Sequence, residues 1–439
     1  MLKMMNNSLG SYYIWTIGCQ MNKADSERLG SAMQQMGLDI VDDPKSADVI
    51  VLNSCVVRQS AEDKVSSMIG VVRPLKVERS DRVVALMGCM VGPKHDDLKK
   101  RFPYIDVFMR PQQYEPLLDI IGDRNGLNWE GCVGTLAPPD PQISSYIPII
   151  HGCDLMCSFC IIPYRRGRQI SRSMEEIVNE VEMLVDRGVK EVTLLGQTVD
   201  AYGHDLVDRS NLSNLLRRVN DVHGLERIRF LTSHPIFMTD DIIEAVAGLN
   251  KVCEHVNLPI QAGDDDVLLR MRRRYTASEY YALIDKIRNG IPGVALSTDV
   301  IVGFSNETEE EFQRTVKVLT DVEFDKVHIS KYSTRPGTIA SRKMIDNVSD
   351  AEKKQRKAVL EQVQEKIQRE KNATLKGQTV EVLVEDSSKG KWRGRTRGDK
   401  LTFIDDDHIV PGSVLNVEIT ETSPWSLQGR HAVQNTEVA

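Results

Sequence analysis

The stretch Tyr146-Ile147-Pro148-Ile149-Ile150-His151-Gly152-Cys153-Asp154-Leu155-Met156-Cys157-Ser158-Phe159-Cys160 runs an apolar strand into a loop that carries three thiols within eight residues. Outward from it, strand and helix patterns alternate along residues 140–374, with strands starting near Tyr146, Glu191, Arg227, His255, Leu296 and Lys326. Helix starts are marked between them. Ser173 with Glu176, Thr276 with Glu279 and Thr308 with Glu311 each fit a capping box, in which hydroxyl and carboxylate reciprocally satisfy amide donors of the first turn. Six such β/α units predict a part-barrel; a closed barrel of this kind takes eight.

Upstream, Tyr12-Tyr13-Ile14-Trp15, Val49-Ile50-Val51-Leu52 and Val83-Val84-Ala85-Leu86-Met87 read as buried strands, the first two followed by amphipathic stretches. This predicts a doubly wound α/β domain with a parallel sheet over residues 1–135. A cysteine follows each strand: Cys19, Cys55 and Cys89. Ligands of open α/β sheets sit beyond the carboxyl ends of the strands, so these thiols are expected at one edge although far apart in sequence. Buried, inert thiols are the competing reading, since free cysteine packs well in cores. Ala137-Pro138-Pro139-Asp140-Pro141 reads as a linker.

Downstream, Ala351 to Leu375 is a charged helical connector. Short strand patterns follow at Thr379–Val384, Trp392–Thr396, Leu401–Ile404, Val414–Thr420 and Ser426–Val433, predicting a small all-β barrel of OB-like size over residues 375–439. The chain of 439 residues is thus expected to be α/β with three modules. A charged fraction of 27% and a hydrophobic fraction of 41% exclude a fibrous or wholly disordered chain. No apolar run is long enough to cross a membrane, and residues 1–10 do not read as a secretory signal, so a cytoplasmic location without membrane association is expected. The net charge of −7 confines any nucleic-acid surface to a local patch.

The eight cysteines carry the chemistry. Without a secretion signal, metal or redox work is a better reading than disulfides. Three thiols at this spacing suit a compact iron-sulfur cube, whose usual fourth cysteine would be missing and whose fourth iron would be open. A zinc site wants four protein ligands, or three plus water; His151 is near enough in sequence to complete one, or is simply a satisfied strand-end histidine. Cys132 and Cys253 fall outside both trios and read as structural.

Cys153, Cys157 and Cys160, in C-x3-C-x2-C order after a first barrel strand, resemble the radical S-adenosylmethionine superfamily. Gly18-Cys19-Gln20-Met21-Asn22, Asn53-Ser54-Cys55-Val56-Val57-Arg58 and Gly88-Cys89 resemble the N-terminal segments of its methylthiotransferases. Ile161-Ile162-Pro163-Tyr164, Arg166-Gly167-Arg168, Leu258-Pro259-Ile260-Gln261 and Thr298-Asp299-Val300-Ile301-Val302-Gly303-Phe304 continue the likeness, with small departures at Thr198, Ala262 and Ser305-Asn306. Cys19-Gln20-Met21-Asn22 most resembles the tRNA branch of that family, which methylthiolates C2 of N(6)-isopentenyladenosine next to the anticodon.

The resemblance implies two 4Fe-4S clusters, one on Cys19, Cys55 and Cys89 and one on Cys153, Cys157 and Cys160, with two S-adenosylmethionine molecules used per turnover. One molecule would methylate sulfur at the N-terminal cluster; the other would be cleaved to a radical that abstracts hydrogen from C2 of the adenine, which then takes the methylthio group. It also implies a tRNA anticodon stem-loop as partner, an electron donor such as flavodoxin or ferredoxin, a sulfur donor, and a monomer. Phe159 is a candidate to pack on the adenine of S-adenosylmethionine, and Gln197, Ser233, Gln261 and Asp299, read at successive barrel strands, are candidates for its polar contacts. Each has a plain structural alternative: loop packing for Phe159 and strand-end hydrogen bonds for the other four. Lys331 and Tyr332, at the last barrel strand, are weaker candidates to face the substrate.

Independently, Lys389, Lys391, Arg393, Arg395 and Arg397 alternate, so one strand face would carry a basic stripe suited to phosphates, as in the RNA-binding TRAM module that this segment resembles. An edge strand guarded by charge is the alternative. Trp392 would point the other way, into the core. Arg166, Arg168 and Arg172, with Arg165, follow the cysteine loop, and Arg270, Arg272, Arg273 and Arg274 end a barrel helix; each group is a solvated face or a grip on the phosphates of an extruded nucleotide. The rival functions are methylthiolation of threonylcarbamoyladenosine in tRNA or of a ribosomal protein, and a non-enzymatic iron-sulfur electron carrier or zinc scaffold.

Overall fold

The structure is a computed structural model and describes residues 9–56, 59–129, 142–388, 390–406 and 409–432. Cys132, the 137–141 linker and Lys389 lie outside the described residues. The chain divides into two compact units. The first takes residues 1–141, 146–156 and 160–170; the second takes 142–145, 157–159 and 171–439.

The first unit is built on β1 (Ser11–Thr16), β2 (Asp39–Ile40), β3 (Val49–Ser54), β4 (Val83–Gly88) and β5 (Val107–Met109), all parallel in the order β2-β1-β3-β4-β5. Alternating residues send Val49, Val51, Val83 and Ala85 to one face, against Leu29 and Met33 of the helix Gln20–Gln35. Ile50, Leu52, Val84 and Leu86 go to the other face, against Val65, Ile69 and Val72 of the helix Gln59–Glu78. With apolar side chains on both faces the sheet must be covered twice, which is the doubly wound arrangement the sequence predicts. The strand order reverses between β1 and β3, and such a switch point opens a crevice beyond the strand ends.

β6 (Ser144–Pro148) begins in the second unit, and the short strands β7 (Ile150–His151) and β8 (Ile170–Ser171) flank the cysteine loop in sequence. β9 (Glu191–Leu195), β10 (Arg227–Phe230), β11 (His255–Asn257), β12 (Ala295–Val302) and β13 (Lys326–Lys331) are the remaining barrel strands. The sheets are ordered β10-β9-β6 and β11-β12-β13, with β9–β10, β11–β12 and β12–β13 paired in parallel. Cys253 N–H to the Ile228 carbonyl (2.9 Å) and Ser233 N–H to the Asn257 carbonyl (3.2 Å) link the two across β10 and β11. The six predicted strand starts each fall within two residues of these strands, and the capping boxes at Ser173, Thr276 and Thr308 all form.

After the helix Asp350–Ala373, β14 (Thr379–Ser388), β15 (Lys391–Thr396), β16 (Leu401–Ile404), β17 (Val414–Thr422) and β18 (Leu427–His431) close a barrel in the order β14-β15-β16-β18-β17. Val382, Val384, Ile404, Val417, Ile419 and Leu427 fill it, with Trp392 packed against them as expected. At Gly394 a Cβ would lie 2.2 Å from the Leu383 carbonyl oxygen, so only glycine lets β14 and β15 pair this closely.

Candidate functional site

Cys19 caps the helix that follows β1, while Cys55 and Cys89 come directly after β3 and β4. Packing at two glycines draws the three turns together. A Cβ on Gly18 would stand 3.0 Å from Cys55 Cβ, and one on Gly88 (φ +96°) would stand 2.4 Å from the Ser54 carbonyl oxygen. Two fully buried asparagines lace the crevice. Asn22 Nδ2 donates to Asn53 Oδ1 (2.8 Å) and the Ser54 carbonyl (3.0 Å), and Asn53 Nδ2 donates to the Asn22 carbonyl (2.7 Å). Burial pushes the Cys89 thiol up to about 11, with Cys55 and Cys19 adding in the same direction and Arg166 opposing. Soft thiols gathered beside a cation suit an iron-sulfur cluster better than a hard cation.

Arg166 is the residue the sequence misplaced. Its side chain is 2% exposed, its Nη2 pairs with fully buried Asp25 at 3.0 Å, and its Nε donates to Cys89 Sγ at 3.3 Å. A guanidinium so placed belongs to the thiol crevice and cannot also grip a phosphate at the surface. Asp25, in the Asp25-Ser26-Glu27 stretch that follows the first cysteine segment, lies on the helix Gln20–Gln35, and nothing in the sequence marks Arg166 as its partner.

In the cysteine loop, Cys153 and Cys160 are partly buried against the apolar core around Ile161 and Ile162 in the first unit. His151 is hydrogen-bonded to Gln112. In the second unit Cys157 is buried, and Ser158 N–H and Oγ donate to the carbonyls of Met271 (3.0 Å) and Arg270 (2.7 Å). Arg273 donates from Nη1 to Cys157 Sγ at 3.5 Å. Phe159 stands edge-on to Phe304 at 6.4 Å between centroids.

The carboxyl edge of the barrel collects the other polar candidates. Gln197 and Ser233 follow β9 and β10, Gln261 follows β11, and Asp299 lies within β12 rather than after it. Asn257 Nδ2 donates to Ser297 Oγ at 3.1 Å and to Asp299 Oδ2 at 3.4 Å. Ser233 Oγ, Gln261 Oε1 and Asp200 Oδ1 are buried without a hydrogen-bond partner. Leaving such an atom unmet costs about 1–3 kcal/mol, so three of them on consecutive strand ends fit a polar ligand that completes their bonding. Gln261 also holds φ at +74°, the strained region that functional sites retain. Asp200 was not legible in the sequence; burial raises its pKa to about 8.

The barrel's opposite, N-terminal edge has a different task. Arg227 donates to the Arg395 carbonyl (2.7 Å) and to Glu381 (2.8 Å). Arg229 donates to the carbonyls of Thr396 and Arg397 (both 2.7 Å) and to Glu191 (2.9 Å). Arg397 reaches back to Glu254 at 2.7 Å and to the Val252 carbonyl at 2.6 Å. The predicted basic stripe is therefore partly an internal joint. Arg395 pairs with Asp399 (3.1 Å) and Glu385 (3.5 Å), Arg393 with Asp386, and Lys391 with Gln428 (3.2 Å). Near the cysteine loop, Arg168 is 87% exposed beside Asp154, and Arg172 pairs with Glu180 at 2.7 Å. Arg270 forms a two-pronged pair with Glu311.

Comparison with known proteins agrees with these parts. Residues 147–319 match the radical SAM superfamily, 11–110 an uncharacterized family (UPF0004) and 373–431 the TRAM domain. A tRNA-2-methylthio-N(6)-dimethylallyladenosine synthase of Roseiflexus sp. is 49% identical over 95% of this chain and 89% of its own. Enzymes of the same name from Herpetosiphon aurantiacus and Dehalococcoides mccartyi are 46% and 44% identical, over 95% of this chain and 96% and 98% of theirs. Among solved structures, a radical S-adenosylmethionine methyltransferase of Kitasatospora setae shares the fold, with TM-score 0.57 at 14% identity over 76% of this chain and 77% of that one. By sequence, the chain belongs to the radical S-adenosylmethionine family of tRNA-2-methylthio-N(6)-dimethylallyladenosine synthases.

Proposed function

We infer that the protein adds a methylthio group to C2 of N(6)-isopentenyladenosine beside the anticodon of tRNA, by radical S-adenosylmethionine chemistry. The observation that carries this is near-full-length identity of 44–49% to enzymes of that name, together with both cysteine trios. When bound, two 4Fe-4S clusters and S-adenosylmethionine supply the one-electron cleavage, the methyl group and the site of sulfur transfer.

The chain's own residues take these parts in the proposal. Cys19, Cys55 and Cys89 hold one cluster on a domain of residues 1–135, and Cys153, Cys157 and Cys160 hold the other on a part-barrel of residues 140–374. Their support is the crevice at the switch point and the loop spacing. Ser233, Gln261, Asp299 and Gln197 orient S-adenosylmethionine at the carboxyl edge, supported by the unmet oxygens there. Phe159 contributes an apolar wall. Residues 375–439 bind RNA, with Lys389, Lys391 and Arg393 from the basic stripe and Arg168 and Arg172 nearer the cysteine loop. Arg395 and Arg397 contribute by seating that module. A low-potential electron donor of the flavodoxin or ferredoxin class and a sulfur donor serve a monomer in the cytoplasm. No helix among the described residues is long and apolar enough to cross a membrane.

Nucleoside mass spectrometry of tRNA from a deletion strain tests the reading. Loss of the methylthio nucleoside, restored by the intact gene, is expected; an unchanged level refutes it.

A further inference from the structure

In each cysteine trio a buried arginine donates to a sulfur, Arg166 to Cys89 and Arg273 to Cys157, but the two arginines are balanced differently. Arg166 on Cys89 is held by the buried carboxylate of Asp25, so its charge is neutralised beside the thiol. Its Nη1 is buried without a partner, an N–H left for an acceptor belonging to the crevice. Arg273 on Cys157 is 8% exposed and gives its other donors to neutral oxygens: Nε to the Tyr275 hydroxyl and Nη2 to the Pro259 carbonyl, both at 2.9 Å. The Tyr275 hydroxyl donates in turn to the Ile260 carbonyl at 2.7 Å, and burial raises its pKa, so it stays uncharged. Among the described residues no carboxylate pairs with Arg273. Asp200, which feels its field, is held mainly protonated at neutral pH by burial.

Reducing a cluster adds one negative charge and makes or breaks no bond. A cation or N–H donor at a ligand sulfur therefore stabilises the reduced form and raises the potential, and an adjacent carboxylate cancels much of that. We propose that this asymmetry steers the incoming electron: Arg273, an uncompensated cation on Cys157, raises the reduction potential of its cluster, whereas Asp25 cancels Arg166 and spares the N-terminal cluster that rise. Reducing power from a one-electron donor is thereby directed to the cluster that meets S-adenosylmethionine. Arg166 and Arg273 act as positioning and tuning residues.

The inference rests on the ligand assignment above, and the test separates the two. Full-length chains with Cys19, Cys55 and Cys89, or with Cys153, Cys157 and Cys160, changed to alanine should each fall from about eight irons to about four; failure there sinks the assignment, whatever the potentials. In these single-cluster chains, without S-adenosylmethionine, potentials are read by dithionite titration followed by electron paramagnetic resonance. Arg273→Gln should lower the barrel-loop potential by at least about 59 mV, a tenfold change in the one-electron equilibrium. Arg273→Lys, which keeps the charge, should restore most of it; a packing role would not be rescued this way. Asp25→Asn, which leaves the Arg166 charge uncancelled, should raise the N-terminal potential. An unmoved potential in Arg273→Gln, or an unmoved or lowered one in Asp25→Asn, overturns the proposal. Where a glutamine variant fails to keep iron, Asp25→Asn and Arg273→Lys, which keep both guanidinium or ammonium charges, decide.

Discussion

Cys19, Cys55 and Cys89 are gathered from three strand ends, whereas Cys153, Cys157 and Cys160 are placed by covalent spacing within eight residues. The first trio exists only when the parallel sheet is folded and its turns are pressed together at Gly18 and Gly88. The second keeps its spacing whatever the sheet does. On the proposed assignment, one metal centre is a product of tertiary structure and the other of local sequence, and the two should fail differently.

The largest effect is chemical. Exchanging Cys89 or Cys157 for alanine should reduce the methylthio nucleoside in a complemented deletion strain to background, and survival of product in either variant would break the parallel between the trios. Next comes the N-terminal edge of the part-barrel. Arg229→Ala strands Glu191 and two backbone carbonyls in a buried joint, which costs about 3–5 kcal/mol. Denaturant unfolding should show that loss, and the N-terminal trio should keep its iron.

Gly88→Ala forces a Cβ into the Ser54 carbonyl at a backbone φ of +96°. A loss of about 2–4 kcal/mol is expected, with iron content falling towards about half. Retention of all iron would mean that the dispersed trio tolerates slack after all. The last effect is a slope. The Asp200 carboxyl has a folded pKa of about 8, above the ordinary 3.9 or so, so the native state binds the extra proton. Its contribution is full below about pH 4 and is lost as pH rises through about 8, at up to about 1.4 kcal/mol per unit. Asp200→Asn should flatten this dependence in urea midpoints measured between pH 5 and 8.

The same contrast explains how much could be read beforehand. The compact trio needed only spacing. The dispersed trio needed the further step that each thiol follows an apolar run, and that step sufficed because strand ends of a parallel sheet share an edge. Partners joined across long stretches of chain gave no local pattern. Arg166 meets Asp25 from 141 residues away, and Arg229 meets the Thr396 carbonyl from 167. A buried arginine also looks in sequence like any solvated one until its surroundings are known. The alternation placed Lys391, Arg393 and Arg395 on one face of β15, but alternation is silent about what such a face meets, and Arg397 meets Glu254.

Arg227 and Arg229 hold the small β-barrel chiefly through main-chain oxygens of residues 395, 396 and 397. A main-chain oxygen is offered by every amino acid. Side chains at 395 and 396 can therefore drift over generations while the two bodies stay fastened, and the barrel's outward chemistry is left open to selection for different RNA without renegotiating how it is attached.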